Sequence, residues 1–503
     1  MPAFTIRAPF YPIVYVRGYA MTSSEREDTF HDAYYGFSAN SVEKREASPE
    51  NGYRIADIFE GQMIRFMKLR DYGYADSVNH GLRDFHDNPS RSIWVCRFYD
   101  EDFIQGKARA ITDHARDLAK MITETIPRKL AEAGVVNLES DYKVILIAHS
   151  MGGLVCRTLI QNILPSLKST SSLLPKDRIN DPNSLIHRLV TIGTPHNGID
   201  LGNIPNWFEN SIVSALNPFN SSIFKPATMR KYLNLEPGEP VNSLGKSGFP
   251  IDKCLCVVGS DHQSYSLVKN LTGGHSDGLV KQNNAYVVEG GTLKHAYTAN
   301  VHRAHSGVRG IVNSYESFEN VQRFLFGDLK IVITLENVQM NTIVKPGSDY
   351  FYDFEFTLSI RGTGVYLHRR EQDPCENAFR IEYSQVPPKI DLHTVFLNSS
   401  FNLDPIDAFS YFIMKVRVAE YRIEKNMLWD YKYPSREIYA ESLEIKVRKD
   451  EAQNYQAGYR WLSDMDWVML NTTTNSEFAI PLRNAPSVSG SLVLHASLWD
   501  AQK

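Results

Sequence analysis

Short apolar runs alternate with amphipathic stretches over about the first 326 residues of the chain. Five of these runs are continuously apolar and rich in β-branched residues, as strands buried on both faces of a sheet are. The five candidate strands are residues 12–16, 92–99, 142–148, 187–193 and 254–259. Ahead of the third, apolar residues recur at three- or four-residue steps from Ile111 to Ile126, which predicts a helix with one buried face. The pattern predicts an α/β domain with a mainly parallel sheet.

The period of the pattern changes to two after about residue 327. Between Tyr350 and Ile360, apolar side chains occupy every second position, and only a strand places such residues on one face. The same alternation returns at 412–418, 443–449 and 492–499. We therefore predict two domains, which are an α/β domain over residues 1–326 and an all-β domain, a β-sandwich, over residues 327–503.

Composition and charge narrow the class of protein. Of the 503 residues, 43% are hydrophobic and 22% are charged, which is typical of a folded globular chain rather than a disordered one. The formal net charge of −4 offers no basic field that would attract nucleic acid. No apolar run reaches the roughly 20 residues of a membrane span, and the N-terminus lacks a secretory signal pattern. We therefore expect a cytoplasmic protein, with export that needs no such signal as the alternative.

The cysteines favour a reducing compartment. There are five, an odd number, and four lie in apolar segments, as reduced core thiols do. Cys254 and Cys256 are separated by one residue, which is the wrong spacing for a zinc or redox pair. We predict no cofactor and no metal in the reaction itself, and the sequence leaves a structural Ca²⁺ open.

A serine stands where the third candidate strand ends. Residues 148–153 read Ala-His-Ser-Met-Gly-Gly, and the residues that follow are apolar enough for a buried helix. In a strand–turn–helix of this type the positions two before and two after the serine must be small, because the strained turn brings strand and helix together. Ala148 and Gly152 meet that requirement. The context predicts that Ser150 is a nucleophile, and a tight structural turn is the alternative.

A serine hydroxyl needs a base and an orienting carboxylate before it can attack a carbonyl carbon. Asp277 lies in a loop after the fifth candidate strand, and His302 and His305 follow just before a helix. Asp261 directly follows the same strand and is a rival carboxylate. The chain order Ser, Asp, His is the one that an α/β-hydrolase sheet imposes.

Three segments taken together resemble a known family. AHSMGG at 148–153, TIGTPHNG at 191–198 and SDGLV at 276–280 are similar to the lipase and esterase branch of the α/β-hydrolase superfamily. Within that branch, the segments resemble those of the bacterial triacylglycerol lipases and the GPI inositol-deacylase-like hydrolases. The resemblance covers roughly residues 10–326 and implies an α/β-hydrolase fold.

The resemblance also implies roles for particular residues. In the family, the Asp of the segment that matches SDGLV is the acid of the triad, which favours Asp277 over Asp261. The family's base lies in a loop before the last helix and is often followed by a small or polar residue and then an apolar one, a pattern that His305 fits better than His302. His149, next to the serine, is then interpreted as packing in the turn.

An oxyanion hole requires N–H donors at the place where negative charge develops. One donor is the amide of Met151, the residue after the nucleophile, at the N-terminus of the next helix. The resemblance implies that the other is the amide of Tyr19, in the loop after the first strand. Similar lipases have His-Gly in this loop, whereas Arg17 precedes Gly18 here, and that departure leaves the geometry of the loop open.

The fifty or so residues before the strand at 254 contain too many large apolar side chains for a simple connection. We interpret residues 199–250 as a cap or lid that borders an acyl-binding cleft, with Trp207 and Phe208 as substrate-binding residues. A helical insertion packed on its own domain is the alternative. A second apolar insertion, residues 52–70, predicts a mostly buried helix.

These features predict a serine-dependent carboxylic ester hydrolase that acts on lipid acyl esters through Ser150, His305 and Asp277. One alternative is a phospholipase toxin or defence effector whose β domain delivers it to membranes. A second is a non-catalytic binding protein on a hydrolase scaffold. By analogy with lipases that have a C-terminal sandwich, the β domain is expected to make peripheral membrane contact. The sequence indicates no particular protein partner.

Overall fold

The computed structural model of the chain describes most of its residues. They are 3–18, 42–47, 54–57, 60–68, 72–76, 88–96, 109–168, 171–199, 221–264, 275–292, 294–306, 309–361, 364–401, 409–424, 431–432, 435–450, 454–470, 476–483 and 485–499. The chain divides into two compact units, one of residues 1–298, 303–318 and 502–503 and one of residues 299–302 and 319–501. The domain boundary predicted after residue 326 stays a prediction.

The first strands belong to a mainly parallel sheet and a small hairpin. They are β1 (Ile13–Val16), β2 (Val42–Ala47), β3 (Arg54–Asp57), β4 (Ala75–Asp76), β5 (Ser92–Cys96), β6 (Val144–His149), β7 (Ile186–Ile192), β8 (Cys254–Gly259) and β9 (Tyr297–Val301). The sheet has the order β4-β5-β1-β6-β7-β8-β9, and β2 pairs with β3 in a separate two-stranded sheet. The pairings from β4 through β8 are all parallel.

The five predicted strands correspond to β1, β5, β6, β7 and β8, and every residue of these strands is buried. A continuously apolar strand is the expected sequence for a parallel strand with helices on both faces. β6 lies near the middle of the sheet, between β1 and β7. Because these strands are parallel, the C-terminal end of β6 lies at the same edge of the sheet as the C-terminal ends of β1 and β7.

The α-helices of the described residues are short to medium in length. They are α1 (Glu60–Lys68), α2 (Ile111–Lys120), α3 (Ile126–Glu132), α4 (Leu138–Asp141), α5 (Met151–Thr158), α6 (Lys176–Asn180), α7 (Pro182–Leu185), α8 (Pro226–Tyr232) and α9 (Tyr315–Phe326). Two π-helical turns, Met121–Thr125 and Leu159–Ile163, directly follow α2 and α5. Short 3₁₀ turns lie at Leu164–Ser166, Ser221–Phe224, Ile251–Lys253, Gln282–Asn284, Tyr383–Gln385 and Ser399–Phe401.

Two helix predictions had different outcomes. The apolar stripe from Ile111 to Ile126 is buried along α2, the π-helical turn and the start of α3, as predicted. The helix predicted over 52–70 is wrong in its first part, because Arg54–Asp57 forms β3 and pairs antiparallel with β2. Only α1, at 60–68, is helical there.

The second unit contains two antiparallel sheets. Its strands are β10 (Leu329–Met340), β11 (Ser348–Ile360), β12 (Tyr366–Arg370), β13 (Phe379–Glu382), β14 (Lys389–Leu397), β15 (Ser410–Glu424), β16 (Tyr431–Lys432), β17 (Arg436–Lys449), β18 (Tyr455–Trp461), β19 (Val468–Leu470), β20 (Glu477–Pro481) and β21 (Val488–Leu498). One sheet has the order β14-β10-β21-β20, and the other β12-β11-β15-β17-β18-β19, with β13 on β11 and β16 on β15.

Both of these sheets contribute to one apolar core, as in a β-sandwich. Ile333 and Leu494 come from the smaller sheet, and Phe356, Val416 and Ile445 come from the larger one. The alternation predicted a two-layer all-β domain, and this is confirmed. No helix in the described segments is long and apolar enough to cross a membrane.

The polar positions of β11 lie on the face opposite this core. Asp353 accepts hydrogen bonds from the Nε and Nη2 atoms of Arg380, at 2.7 and 2.6 Å. Glu355 accepts one from Arg417, at 2.7 Å. Both carboxylates are buried, so the arginines satisfy charges that would be costly to bury alone.

Candidate active site

Ser150 lies at the turn between β6 and α5. Its backbone has φ 52° and ψ −127°, in the left-handed half of the map that residues other than glycine rarely occupy. The Ser150 N–H donates to the carbonyl of Ile192 at 3.0 Å, which holds the turn against the end of β7. This geometry is that of a nucleophile elbow, in which a sharp strand-to-helix turn presents the serine hydroxyl at the end of the sheet.

The turn is packed closely against the loop after β1. A Cβ atom on Gly152 would lie 2.2 Å from the carbonyl oxygen of Val16, and one on Gly18 would lie 2.7 Å from Cβ of Ser150. Real Cβ atoms do not approach other atoms so closely, so both positions require glycine. Sequence reasoning identified Gly152 as a position that must be small, but it did not identify Gly18.

Three of the predicted site residues are joined by hydrogen bonds. The Ser150 hydroxyl lies 3.0 Å from Nε2 of His305, and Nδ1 of His305 lies 2.8 Å from Oδ2 of Asp277. All three are buried, with 9%, 3% and 1% of the surface of Ser150, His305 and Asp277 exposed. Because the carboxylate accepts from Nδ1–H, the imidazole is left with an unprotonated Nε2 that can accept the serine proton.

Asp277 is held in place by its own loop. Its second carboxylate oxygen, Oδ1, accepts hydrogen bonds from the backbone N–H groups of Leu279 and Val280, at 3.0 and 2.7 Å. The backbone carbonyl of Asp277 accepts from the N–H of His305 at 2.8 Å. One oxygen is thereby anchored while the other points at the imidazole.

The rival residues lie outside this hydrogen-bonded chain. Asp261 uses its Oδ1 atom to accept from the N–H of Ser264 at 3.0 Å, and its own N–H donates to the carbonyl of Arg303 at 3.1 Å. His302 lies directly after β9, and the imidazole bonded to Ser150 is that of His305. The structure thus brings Asp277 and His305 to Ser150, and their catalytic roles stay predictions.

Gly193, the residue after β7, gives room to the Asp–His pair. It has φ 56°, and a Cβ there would lie 3.2 Å from Oδ2 of Asp277 and 3.3 Å from Nδ1 of His305. A side chain at this position would therefore strain the backbone and crowd the hydrogen bond. The segment TIGTPHNG contributed to the family resemblance, but the resemblance assigned no role to this glycine.

The two predicted oxyanion donors have different outcomes. Met151 is the first residue of α5, and the N–H of a first helical residue has no acceptor within its own helix. Tyr19 lies outside the described residues. Arg17, the departure from the family pattern, is 5% exposed, so its side chain lies within the fold.

His149 packs beside His305. It is 4% exposed, and its Nε2 atom lies 3.1 Å from the carbonyl oxygen of His305. The two imidazole rings have centroids 4.9 Å apart, with 39° between their planes. Burial lowers the pKa of His149 well below its ordinary value, and the nearby His305 and Arg17 act in the same direction.

The cysteines and the possible metal-binding side chains bear on two further predictions. All five cysteines are buried, and none forms a disulfide. Burial raises the pKa of Cys156, Cys254 and Cys256, so these thiols are poor nucleophiles. In the part of the chain that the structure describes, no group of three or more His, Cys, Asp or Glu side chains could hold a metal ion.

A fully buried arginine in α5 connects the helix after Ser150 to two other segments of the chain. Arg157 is 0% exposed and donates to the backbone carbonyls of His196, Val241 and Ser243, at 3.0, 2.9 and 2.5 Å. Its Nε donates to the side chain of Gln161 at 3.0 Å. Burial lowers the pKa of this guanidinium to about 10, so it stays charged at neutral pH.

Replacement of Arg157 by methionine is expected to destabilise the first unit by about 3 kcal/mol, because three carbonyl oxygens lose a buried charged donor. Urea denaturation followed by tryptophan fluorescence measures the effect. Arg128, whose side chain is 58% exposed and pairs with Glu132, is the matched control. Arg128→Met is expected to change the free energy of unfolding by about 0.5 kcal/mol or less. Equal losses in the two variants would contradict the assignment of Arg157 as an anchor.

The proposed cap, residues 199–250, is described only in part. Trp207 and Phe208 lie outside the described residues, so their role in substrate binding stays a prediction. The part from residue 221 onward belongs to the first unit, and Met229 of α8 is fully buried there. Gln161 and Asn162 donate to the carbonyls of Leu233 and Tyr232, at 3.1 and 3.0 Å, which fastens this part to the π-helical turn after α5.

Comparison with known proteins gives matches among solved structures. Lipase BlEst2 of Bacillus licheniformis in its propeptide form has a TM-score of 0.26 and 11% identity, over 90% of this chain and 97% of that one. Phospholipase PlaB of Legionella pneumophila has a TM-score of 0.32 and 12% identity, over 81% and 86% of the two chains. Its complex with thio-NAD has a TM-score of 0.34 and 12% identity, over 84% and 91%. No protein-family model and no curated protein matches the sequence.

The fold is identified by its own topology. A parallel sheet with β6 near its centre ends in a strained serine turn, and a helix follows at once. The chain order of strand, serine, aspartate and histidine is that of the fold implied by the three sequence segments. The expected fold class is confirmed. The chain has the fold of the α/β-hydrolase superfamily, followed by an all-β sandwich.

Proposed function

We propose that this protein is a serine-dependent carboxylic ester hydrolase whose substrates are lipid acyl esters. The observation that supports it best is the continuous hydrogen-bonded chain from Asp277 through His305 to Ser150. A buried carboxylate, an imidazole and a hydroxyl in this order are the groups that acyl transfer to serine requires. The hydroxyl also stands on a strained turn, which is where α/β-hydrolases present their nucleophile.

The proposed reaction has two halves. In the first, Oγ of Ser150 forms a bond to the acyl carbon while Nε2 of His305 takes the hydroxyl proton. The tetrahedral intermediate then loses the alcohol, which leaves with the proton from His305. In the second half, water attacks the acyl-enzyme in the same way and releases the acid. Asp277 keeps the proton on Nδ1 and stabilises the imidazolium.

Negative charge on the carbonyl oxygen must be stabilised during both halves. The N–H of Met151 is proposed as one donor, because it lies at the N-terminus of α5 directly after the nucleophile. The N–H of Tyr19 is proposed as the second, by resemblance to similar lipases. A helix N-terminus adds a favourable partial positive charge to the first donor.

The lipid part of the proposal is supported by the residues of the proposed cap. The segment 199–250 is rich in large apolar side chains, which suit an acyl chain, and Trp207 and Phe208 are the proposed contacts. Access to such substrates also entails peripheral contact with a lipid surface. Hydrolysis of long-chain glycerides or phospholipids in vesicles, compared with short soluble esters, tests this part. Activity confined to short soluble esters would contradict it.

Labelling with a fluorophosphonate probe tests the nucleophile. The purified wild-type protein is expected to form a covalent adduct at Ser150, because the probe reacts only with an activated hydroxyl. The Ser150→Ala variant is expected to show no adduct by intact mass spectrometry. Ser166 is exposed, and its hydroxyl donates to the backbone carbonyls of Asn162 and Ile163. It provides the matched control Ser166→Ala, which should label as the wild type does. Labelling that persists in Ser150→Ala would overturn the proposal.

A further inference from the structure

His149 places a second buried imidazole directly beside the proposed base. Its Nε2 atom lies 3.1 Å from the backbone carbonyl oxygen of His305. A carbonyl oxygen can only accept a hydrogen bond, so Nε2 of His149 carries the proton. This assigns the tautomer of a residue that sequence reasoning treated as packing alone.

The opposite nitrogen of His149 has a different environment. Nδ1 is buried and has no hydrogen-bond partner among the described residues. A Cβ on Gly18 would lie 3.0 Å from it, so this unprotonated nitrogen faces the loop after β1. A protonated Nδ1 would be a buried donor for which the described residues offer no acceptor, and this disfavours the charged form of the ring. His149 is therefore held neutral, with a single N–H that is committed to His305.

The backbone of His305 is consequently held from both sides. Its N–H donates to the carbonyl of Asp277 at 2.8 Å, and its carbonyl accepts from His149. The side chain then has little freedom to move its Nε2 atom away from the hydroxyl of Ser150. Proton transfer between these two atoms depends on keeping them at hydrogen-bond distance.

We propose that His149 is a positioning residue, which fixes the backbone of His305 through its Nε2–H and keeps a neutral ring packed against the base. This inference rests on the proposed hydrolase function. A neutral His149 ring favours the proposed reaction. His305 becomes a cation when it takes the serine proton, and a charged neighbour 4.9 Å away would oppose that step.

Two substitutions separate the hydrogen bond from the packing. His149→Phe keeps an aromatic ring of similar size but loses the donor. His149→Gln loses the ring but places an amide N–H close to the position of Nε2. If the donor is what matters, glutamine restores function better than phenylalanine does. If packing alone matters, the order is reversed.

The experiment measures kcat and KM for a soluble ester with both variants and the wild type. We expect His149→Phe to lower kcat about tenfold with KM within about twofold, because misalignment affects the transition state more than ground-state binding. His149→Gln is expected to retain kcat within about threefold of the wild type. His187, 0% exposed on β7, provides a matched buried control, and His187→Phe should leave kcat unchanged.

Some outcomes would overturn the positioning role of His149, and another would contradict the proposed hydrolase function. Wild-type kcat in His149→Phe, or a lower kcat in His149→Gln than in His149→Phe, would overturn the positioning role. An equal loss of kcat in His187→Phe would do the same, because it would indicate a general structural effect. A wild-type protein that neither hydrolyses esters nor reacts with the fluorophosphonate probe would contradict the proposed function itself.

Discussion

Replacement of His305 by alanine is expected to lower kcat/KM for ester hydrolysis by about 10⁵-fold, because no other described group accepts the proton of Ser150. The binding of substrate does not involve this proton, so KM should change far less than kcat. Steady-state kinetics on a soluble ester measures both quantities. The fluorophosphonate labelling rate should fall in parallel, since it depends on the same activation of the hydroxyl.

His302 is the matched control for this experiment. It lies three residues earlier in the same segment, and it was the alternative base at the level of sequence. His302→Ala is expected to retain kcat/KM within about twofold, because substitutions away from the reacting groups have small effects. A large loss in His302→Ala with little loss in His305→Ala would reverse the assignment of the base.

Replacement of Asp277 by asparagine is expected to lower kcat by about 10⁴-fold without unfolding the protein. The asparagine Oδ1 atom can still accept from the N–H groups of Leu279 and Val280. Its amide would then point an N–H at Nδ1 of His305, which forces the proton of the imidazole onto Nε2. An Nε2 that carries a proton cannot accept one from Ser150, so the base is held in the wrong tautomer.

The control for this prediction is Asp261→Asn. An asparagine at 261 keeps an oxygen for the N–H of Ser264, so the local turn is preserved. Its kcat is expected to stay within about twofold of the wild type. Circular dichroism and the thermal midpoint should be similar for both variants. Loss of activity in Asp261→Asn, with Asp277→Asn active, would show that Asp261 is the acid of the triad.

Local patterns predicted most of the framework. The strands were recognisable because a strand buried on both faces is apolar at every position, and the crossover helix because its stripe follows the helical period. The serine turn was recognisable because close packing at Val16 forces a small residue at Gly152. Each of these signals lies within a few neighbouring residues, so one sequence is enough to reveal it.

The pairing of distant residues had no such signal. Asp261 and Asp277 both follow β8, and only the geometry shows that the second of them accepts from His305. The carbonyl oxygen that accepts from His149 belongs to a residue 156 positions away. The helix predicted over 52–70 failed in part for a similar reason, because β3 is stabilised by pairing with β2, which lies earlier in the chain.

The backbone contacts of Arg157 have a consequence for any redesign of the proposed cap. The three residues that it holds, in two segments, all offer backbone carbonyls, at separations of 39, 84 and 86 residues, and their side chains take no part in these bonds. The identities of residues 196, 241 and 243 can therefore change without loss of these bonds, provided that the chain path is kept. Position 157, in contrast, depends on its side chain. Lysine could not replace the arginine there, because it lacks the planar guanidinium group that reaches several oxygens at once. Within the proposed cap, the side chains at 241 and 243 can thus be exchanged while these bonds are kept, provided that Arg157 stays.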